Sequence, residues 1–173
     1  MFQTMERVVI AGRSPIALPN SIIRRDCDGS MEMVTARWGL RPKELDQRPF
    51  NVVRAEGRTF EGHRCLIPAS KFSFQHEGRG YRFTLMCGDW FYFAGIWRHA
   101  YPDWPEAYAA LTIEANMDVA PYNDRQMAVI LRRDRMAWID ATQPDEGLLR
   151  PLPAGTFMVE RDDGKEIVER RLL

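Results

Sequence analysis

The chain has 173 residues, 45% of them hydrophobic, which is the length and apolar content of one globular domain with its own core. Its 24 basic and 24 acidic residues cancel, which excludes a global electrostatic attraction to nucleic acid or to an anionic membrane. No apolar run reaches the roughly 18 residues of a membrane-spanning helix, and residues 1–7 lack a signal-peptide pattern. Any phosphate binding must therefore come from a local cluster of cations.

The three cysteines indicate the cellular compartment. Cys27, Cys65 and Cys87 are odd in number and widely spaced, and no CxxC or Cys/His pair has metal-ligand spacing. We therefore expect a reduced, cytoplasmic protein. We also expect a monomer with one domain over residues 1–173, no metal, no cofactor and no membrane partner.

The first half of the chain alternates short apolar runs with turn-forming residues, which is typical of strands. Residues 7–11 read as a strand, residues 21–25 and 32–37 as a hairpin around a loop at 26–30, and residues 41–49 as an irregular loop. Further strands are predicted at 50–54, 64–67 and 71–75, the last two interrupted at Pro68, with a turn at 76–80.

The second half continues the same pattern. Residues 81–86 and 90–97 predict an aromatic hairpin around 87–89, followed by strands at 108–113 and 127–131. Short helices are predicted at 134–140, capped by Asp134, and at 144–149, capped by Thr142. Strands at 155–160 and 165–169 close the chain. Together, these predicted strands and helices indicate a β-rich α+β domain with a curled, barrel-like antiparallel sheet and a few short helices.

Trp38 stands apart from the other aromatic residues, most of which we assign to the core. It precedes Gly39, a residue that lets backbone approach closely. A Trp-Gly pair at the end of a strand can form a platform for a base or a sugar.

Asn51, Arg54 and Glu56 lie within six residues and admit two interpretations. On a regular strand Arg54 and Glu56 share a face, while Asn51 falls on the other face unless a bulge intervenes. One interpretation is a surface ion pair worth under about 1 kcal/mol. The other is a phosphate-binding Arg54 oriented by Glu56, with Asn51 supplying hydrogen bonds.

The remaining polar candidates are less specific. Asn123 and Arg125 follow a proline-containing segment before an apolar strand, where such residues usually form turns. The three histidines lie in polar contexts and are interpreted as solvated side chains. A catalytic triad is spatial, so no nucleophile and base can be assigned from sequence spacing.

Five segments in a fixed order together resemble one family. They are Trp38-Gly-Leu40, Asn51 to Glu56 ending in Arg-Ala-Glu, Arg64-Cys-Leu-Ile-Pro-Ala-Ser70, Phe93-Ala-Gly-Ile-Trp97 and Met127-Ala-Val-Ile-Leu131. Over residues 19–153 the chain resembles the SRAP family, the SOS-response-associated putative peptidases, also called abasic-site processing proteins.

The resemblance implies a β-rich α+β fold with a cleft for single-stranded or abasic DNA. Family members crosslink to abasic sites through the amine and thiol of a cysteine that follows the initiator Met, assisted by an Asn, a Glu and a His. Carried over residue by residue, Trp38, Gly39 and Arg54 match DNA-binding positions, with Arg125 beside them, and Glu56 matches the Arg-Ala-Glu motif. Asn51 or Val52 matches the active-site Asn.

The departures concern the reaction centre. Position 2 is Phe2 where the family has Cys, Phe74 stands at the family's Glu, and Asn123 stands at its His. Cys27, Cys65 and Cys87 are internal, so none offers both an α-amine and a β-thiol. Neither Phe74 nor Asn123 titrates, and losing general acid-base help costs on the order of 10²–10⁴ in rate.

Three functions remain open on this sequence. The first is a protein of the DNA damage response, related to peptidases but a pseudoenzyme, that still binds single-stranded or damaged DNA. The second is an active lyase or peptidase with other residues, for example Lys71 as an amine nucleophile. The third is a non-enzymatic interaction protein on the same fold. For the first, local basic surface would come from arginines, namely Arg37, Arg54, Arg58, Arg125, Arg132 and Arg133.

Overall fold

The computed structural model describes residues 21–162, which form twelve strands and two short α-helices. The strands are β1 (Ser21–Arg25), β2 (Met31–Thr35), β3 (Arg37–Trp38), β4 (Val52–Arg54), β5 (Arg64–Ala69), β6 (Phe72–His76), β7 (Arg79–Leu85), β8 (Phe91–Arg98), β9 (Ala107–Glu114), β10 (Arg125–Met127), β11 (Val129–Ile130) and β12 (Phe157–Asp162). The helices are α1 (Arg135–Ile139), which follows a 3₁₀ turn at Arg132–Asp134, and α2 (Asp145–Leu148). The strands predicted at residues 7–11 and 165–169 lie outside the described residues.

Nine strands form one large sheet, in which β10, β9, β8, β5, β1 and β2 are successive neighbours. β1 and β2 form the predicted antiparallel hairpin, with Ser21 opposite Thr35. The β-rich α+β class is confirmed. The curled, barrel-like form is corrected, because within residues 21–162 the large sheet stays open between β10 and β2 and is not strongly curled.

Strand β9 organises the part of the sheet that carries the candidate site. Along one edge it pairs antiparallel with β8 and then with β10, and along the other it pairs parallel with β3 and then with β4. The predicted strand at 127–131 is split at Ala128, which donates its N–H to Leu111 of β9 and accepts one from Ala94 of β8. The segment from β10 to β11 therefore crosses between two diverging strands.

The predicted hairpin of residues 81–86 and 90–97 is wrong. β7 pairs with β6 and β12 in a separate three-stranded sheet, whereas β8 pairs with β5, β9 and β11 in the large sheet. The turn at 87–89 thus moves the chain from one sheet to the other. The turn predicted at 76–80 does close a hairpin, that of β6 and β7, with Gly78 at φ +74°.

Pro68 does not interrupt its strand, contrary to the prediction. β5 runs from Arg64 to Ala69 with Pro68 opposite Tyr92 of β8. Trp97 donates its N–H to His63 O, which fixes the alternation of hydrogen-bonded pairs and places Pro68 at a non-hydrogen-bonded position toward β8. The missing N–H therefore costs no bond to β8.

The large sheet has one apolar cluster on each face, as the alternation along β8 requires. Phe91 and Phe93 face the small sheet, whose buried residues include Phe72, Phe83 and Phe157. Tyr92 and Ala94 face the opposite cluster, which contains Trp138 of α1 and Leu148 of α2. The result is three layers, with the large sheet in the middle.

Both predicted helices form. Asp134 is the N-cap residue of α1, as predicted, but its side chain makes no capping hydrogen bond. The cap predicted for α2 is wrong, because the residue before α2 is Pro144 in place of Thr142. α2 is fixed by an ion pair instead. Arg64 of β5 donates from Nη1 to Asp145 Oδ1 at 2.7 Å.

Candidate nucleic-acid interface

Trp38 is held rigidly at the edge of the large sheet. In β3 it lies opposite Tyr108 of β9, and its ring packs half-buried against the cluster that faces the small sheet. Its indole Nε1 donates to Asn51 O at 2.8 Å. Because the indole N–H is already used, a ligand meets the ring of Trp38 as a surface for stacking.

Gly39 permits the close approach that positions Trp38 next to Asn51. Its φ is +121°, and a Cβ at this position would stand 2.7 Å from both Asn51 Oδ1 and Pro49 Cβ. Its N–H donates to Tyr108 O at 2.8 Å. The expectation of close backbone packing at Gly39 is therefore confirmed.

Arg54 ends β4 on the same face of the sheet as Trp38. β4 runs parallel to β9, with Val52 opposite Ala110 and Arg54 opposite Thr112. The Arg54 side chain is exposed, and within residues 21–162 it has no hydrogen bond or ion pair. It is a cation that is available to a ligand.

Glu56 pairs with Arg125 and not with Arg54, which corrects the idea that Glu56 orients Arg54. The Arg125 guanidinium donates to Glu56 Oε1 at 2.9 Å and to Oε2 at 2.8 Å, and its Nη2 also donates to Thr112 Oγ1 at 3.1 Å. The Arg125 hydrogen bonds hold the pKa of the Glu56 carboxyl below its ordinary value. Glu56 is thus a poor proton carrier near neutral pH.

Asn51 lies just before β4, and its side-chain Oδ1 lies against Gly39. Its main-chain O accepts from Trp38 Nε1 and from Ala110 N. Val52, the other candidate for the family's Asn position, is partly exposed at the edge of the sheet beside Ala110. Both positions flank the surface between Trp38 and Arg54.

Phe74 and Asn123 have environments that suit structural roles. Phe74 is 8% exposed and packs edge-on against Phe72 and Phe83. Asn123 donates from Nδ2 to Arg125 O at 2.7 Å, so its amide braces the strand that carries Arg125.

Sequence reasoning missed one neighbour of this surface. Thr112 lies opposite Arg54 and accepts a hydrogen bond from Arg125. The strand pairing that brings Thr112 between β4 and β10 spans about sixty positions of the chain, and no local pattern reports it.

The cysteines and histidines do not gather at this surface. Cys65 is fully buried in β5, and burial raises the pKa of its thiol, while Cys27 and Cys87 are exposed. His63 and His99 are exposed, yet their rings pack edge-on against Trp97. Residues 21–162 contain no group of three or more His, Cys, Asp or Glu side chains placed to hold a metal ion.

The predicted arginine cluster is partly assembled. Arg54 and Arg125 flank Thr112, but Arg37 lies over the ring of Trp104 at 4.0 Å. Arg132 is neutralised by Asp89 at 3.2 Å. The surface between Trp38 and Arg54, which we call the edge surface, thus offers the ring of Trp38, the apolar side chain of Val52 and the cation of Arg54, which is unpaired among the described residues.

No helix between residues 21 and 162 combines the length and the apolar character needed to cross a bilayer. Among curated proteins, no sequence matches the chain.

The fold is shared with solved structures. A Bordetella bronchiseptica protein matches with a TM-score of 0.66 at 21% identity, covering 82% of each chain. A Bacteroides thetaiotaomicron protein matches with a TM-score of 0.62 at 18% identity, covering 82% of this chain and 72% of its own. A phage-related protein from Bordetella bronchiseptica matches with a TM-score of 0.61 at 19% identity, covering 82% and 76%.

The family model named SOS response associated peptidase (SRAP) matches residues 7–161, almost the whole chain. The order of the Trp-Gly, Arg-Ala-Glu and Cys-Leu-Ile-Pro-Ala-Ser segments is therefore explained by common descent, and the chain belongs to the SRAP family.

Proposed function

We propose that this protein acts in the DNA damage response by binding single-stranded or abasic DNA at the edge surface, without the cysteine crosslinking described for its family. The observation that carries the proposal is the exposed guanidinium of Arg54, unpaired within residues 21–162, on the same face as the fixed ring of Trp38. An aromatic ring with a free cation further along the same face suits a single strand, whose bases stack and whose phosphates need a positive partner.

The electrostatics of the edge surface support one strong phosphate contact. Arg125 lies beside Arg54 across Thr112, but Glu56 neutralises it. We therefore expect modest affinity that falls with salt, as a few phosphate contacts require.

The side chains at the family's active-site positions support the proposed absence of crosslinking. Phe74 packs edge-on against Phe83, and the amide of Asn123 donates to Arg125 O. Glu56 stays ionised because Arg125 holds its pKa low. None of these three side chains gives and takes a proton near neutral pH, which supports the proposed absence of thiazolidine chemistry.

The test is binding of a fluorescently labelled single strand at about 50 mM and about 200 mM salt. We expect binding at the lower salt that weakens at the higher salt, and weaker binding to the matching duplex. No binding at the lower salt would overturn the proposal.

A second arm tests the missing chemistry. The protein is incubated with an abasic single strand, with and without borohydride, and resolved on a denaturing gel. We expect intact, uncrosslinked DNA. A trapped adduct that disappears in Lys71→Ala would establish an amine nucleophile in place of the proposed pseudoenzyme.

A further inference from the structure

A cavity of about 270 Å³ lies at the end of the sheet, next to the loop between β8 and β9. Its walls include the rings of Phe50, Tyr101 and Trp104 and the side chain of Arg98. This volume is at the small end for ligand sites and suits one planar ring system.

Two of the aromatic walls are unusually exposed for their size. Tyr101 is 53% exposed and Phe50 is 46% exposed, although each borders the cavity. Exposed aromatic rings that converge on one concave site mark binding surfaces more often than isolated exposed rings do.

The cavity is preorganised. Tyr101 and Trp104 exchange main-chain hydrogen bonds of 2.7 Å and 3.2 Å, which close the loop on itself. Trp104 Nε1 donates to Gly39 O at 3.1 Å, and Arg41 pairs with Asp103 in the same loop. A ligand therefore meets a surface that is already ordered, so little conformational entropy is lost on binding.

The charge at the cavity is positive. The guanidinium of Arg41 neutralises Asp103 and holds the pKa of that carboxyl below its ordinary value. Arg98 donates to Trp97 O at 2.9 Å, but within residues 21–162 it has no carboxylate partner. The site thus combines apolar faces for a ring with a cation for an anion.

We propose that this cavity binds one nucleobase by stacking on Tyr101 and Phe50, with the attached phosphate beside Arg98. The proposal goes beyond the function proposed above, because it uses other residues and does not require Arg54. The nucleobase and phosphate belong either to a single strand or to a free nucleotide, and the two sources are separated by experiment.

The experiment compares two ligands on five proteins. The ligands are a labelled single strand of about a dozen deoxyadenylates, followed by anisotropy, and unlabelled deoxyadenosine monophosphate, followed by calorimetry. The proteins are the wild type, Tyr101→Ala, Phe50→Ala, the edge-surface variant Arg54→Ala and a control, Leu45→Ala. Leu45 is an exposed apolar residue of the β3–β4 segment that does not line the cavity.

We expect Tyr101→Ala and Phe50→Ala each to weaken binding by about 5- to 100-fold, the cost of losing one stacked base, while Leu45→Ala binds as the wild type does. Loss confined to the strand identifies a strand as the source, and an equal loss for the monophosphate identifies a free nucleotide. Unchanged binding in both aromatic variants overturns the proposal, as does a wild type that binds neither ligand. If Arg54→Ala alone weakens strand binding, the proposed function stands and the cavity proposal fails.

Discussion

Arg64 and Arg54 show what the same side chain does in two different regions of one sheet. Arg64 lies beneath the helices, where Nη2 donates to Phe60 O at 2.7 Å and Nη1 donates to Asp145 Oδ1 at 2.7 Å. Its guanidinium carbon also lies 4.4 Å from the ring centroid of Trp138. Arg54 lies in β4, at an edge of the sheet, where it is exposed and has no partner within residues 21–162.

The difference separates stability from binding. A buried arginine with its hydrogen bonds satisfied holds the fold together, since removing it leaves the carboxylate of Asp145 and the carbonyl of Phe60 without their donor. An exposed arginine without a partner adds little to stability and is free to bind an anion. Substitution of Arg64 should therefore lower the stability of the fold, whereas substitution of Arg54 should lower the affinity for an anion.

The largest effect is expected for Arg64→Ala. It leaves Asp145 and Phe60 O without their donor and should lower the free energy of unfolding by about 3 kcal/mol, measured by urea denaturation. Arg54→Ala is the comparison and should change it by less than about 0.5 kcal/mol. Equal losses in the two variants would remove the distinction between the two regions.

The next largest loss of stability is expected at Gly39, which packs tightly beneath the edge surface. Gly39→Ala forces a Cβ to within 2.7 Å of Pro49 Cβ and Asn51 Oδ1, at a φ of +121°. We expect a loss of about 2 kcal/mol in unfolding free energy. Gly29→Ala is the matched control, because it also has a positive φ, +86°, but nothing lies within 4 Å of its Cβ. A loss as large in the control would assign the effect to backbone strain alone.

A smaller effect is expected when Arg125 loses its carboxylate partner. Glu56→Gln removes the charge that neutralises Arg125 and keeps the size of the side chain. The protein then has two available cations beside Thr112, so single-strand affinity at low salt should rise, and the slope of log K against log salt should steepen by about 1. Weaker binding in this variant would mean that Glu56 itself contacts the ligand.

The smallest effect is on the pH dependence of stability. The folded pKa of Glu56 is lowered by Arg125, so the pair stabilises the fold above the ordinary carboxyl pKa of about 4.3, and this contribution is lost as pH falls through the lower folded value. Because the Glu56 side chain is 43% exposed, we expect under about 1 kcal/mol. An NMR titration should show the Glu56 pKa rising toward its ordinary value in Arg125→Ala.

Local patterns predicted much of the fold. The hairpin of β1 and β2 and the turn at Gly78 were accessible because turn residues flank alternating strands. The false hairpin of residues 81–97 carried the same turn signals. There the outcome depends on β12, which pairs with β7 from more than seventy residues away, and no turn pattern reports that partner.

In the candidate site too, local features could be predicted from the sequence, whereas partners distant in sequence could not. The close approach at Gly39 could be predicted because a glycine directly after Trp38 is a local signal. The partner of Glu56 could not, because Arg125 is 69 positions away and the chain leaves β4 directly after Arg54. Strand parity correctly indicates which residues share a face only as long as the strand continues.

The salt dependence of single-strand binding in Arg54→Ala tests the central claim most directly. Arg150→Ala is the matched control, since Arg150 is also exposed and unpartnered among residues 21–162, and its neighbour Leu149 packs on the helix side of the large sheet. We predict that Arg54→Ala weakens binding and makes the slope of log K against log salt shallower by about 1, with no change for Arg150→Ala. A slope and affinity equal to those of the wild type in Arg54→Ala would contradict the claim that the edge surface binds the strand.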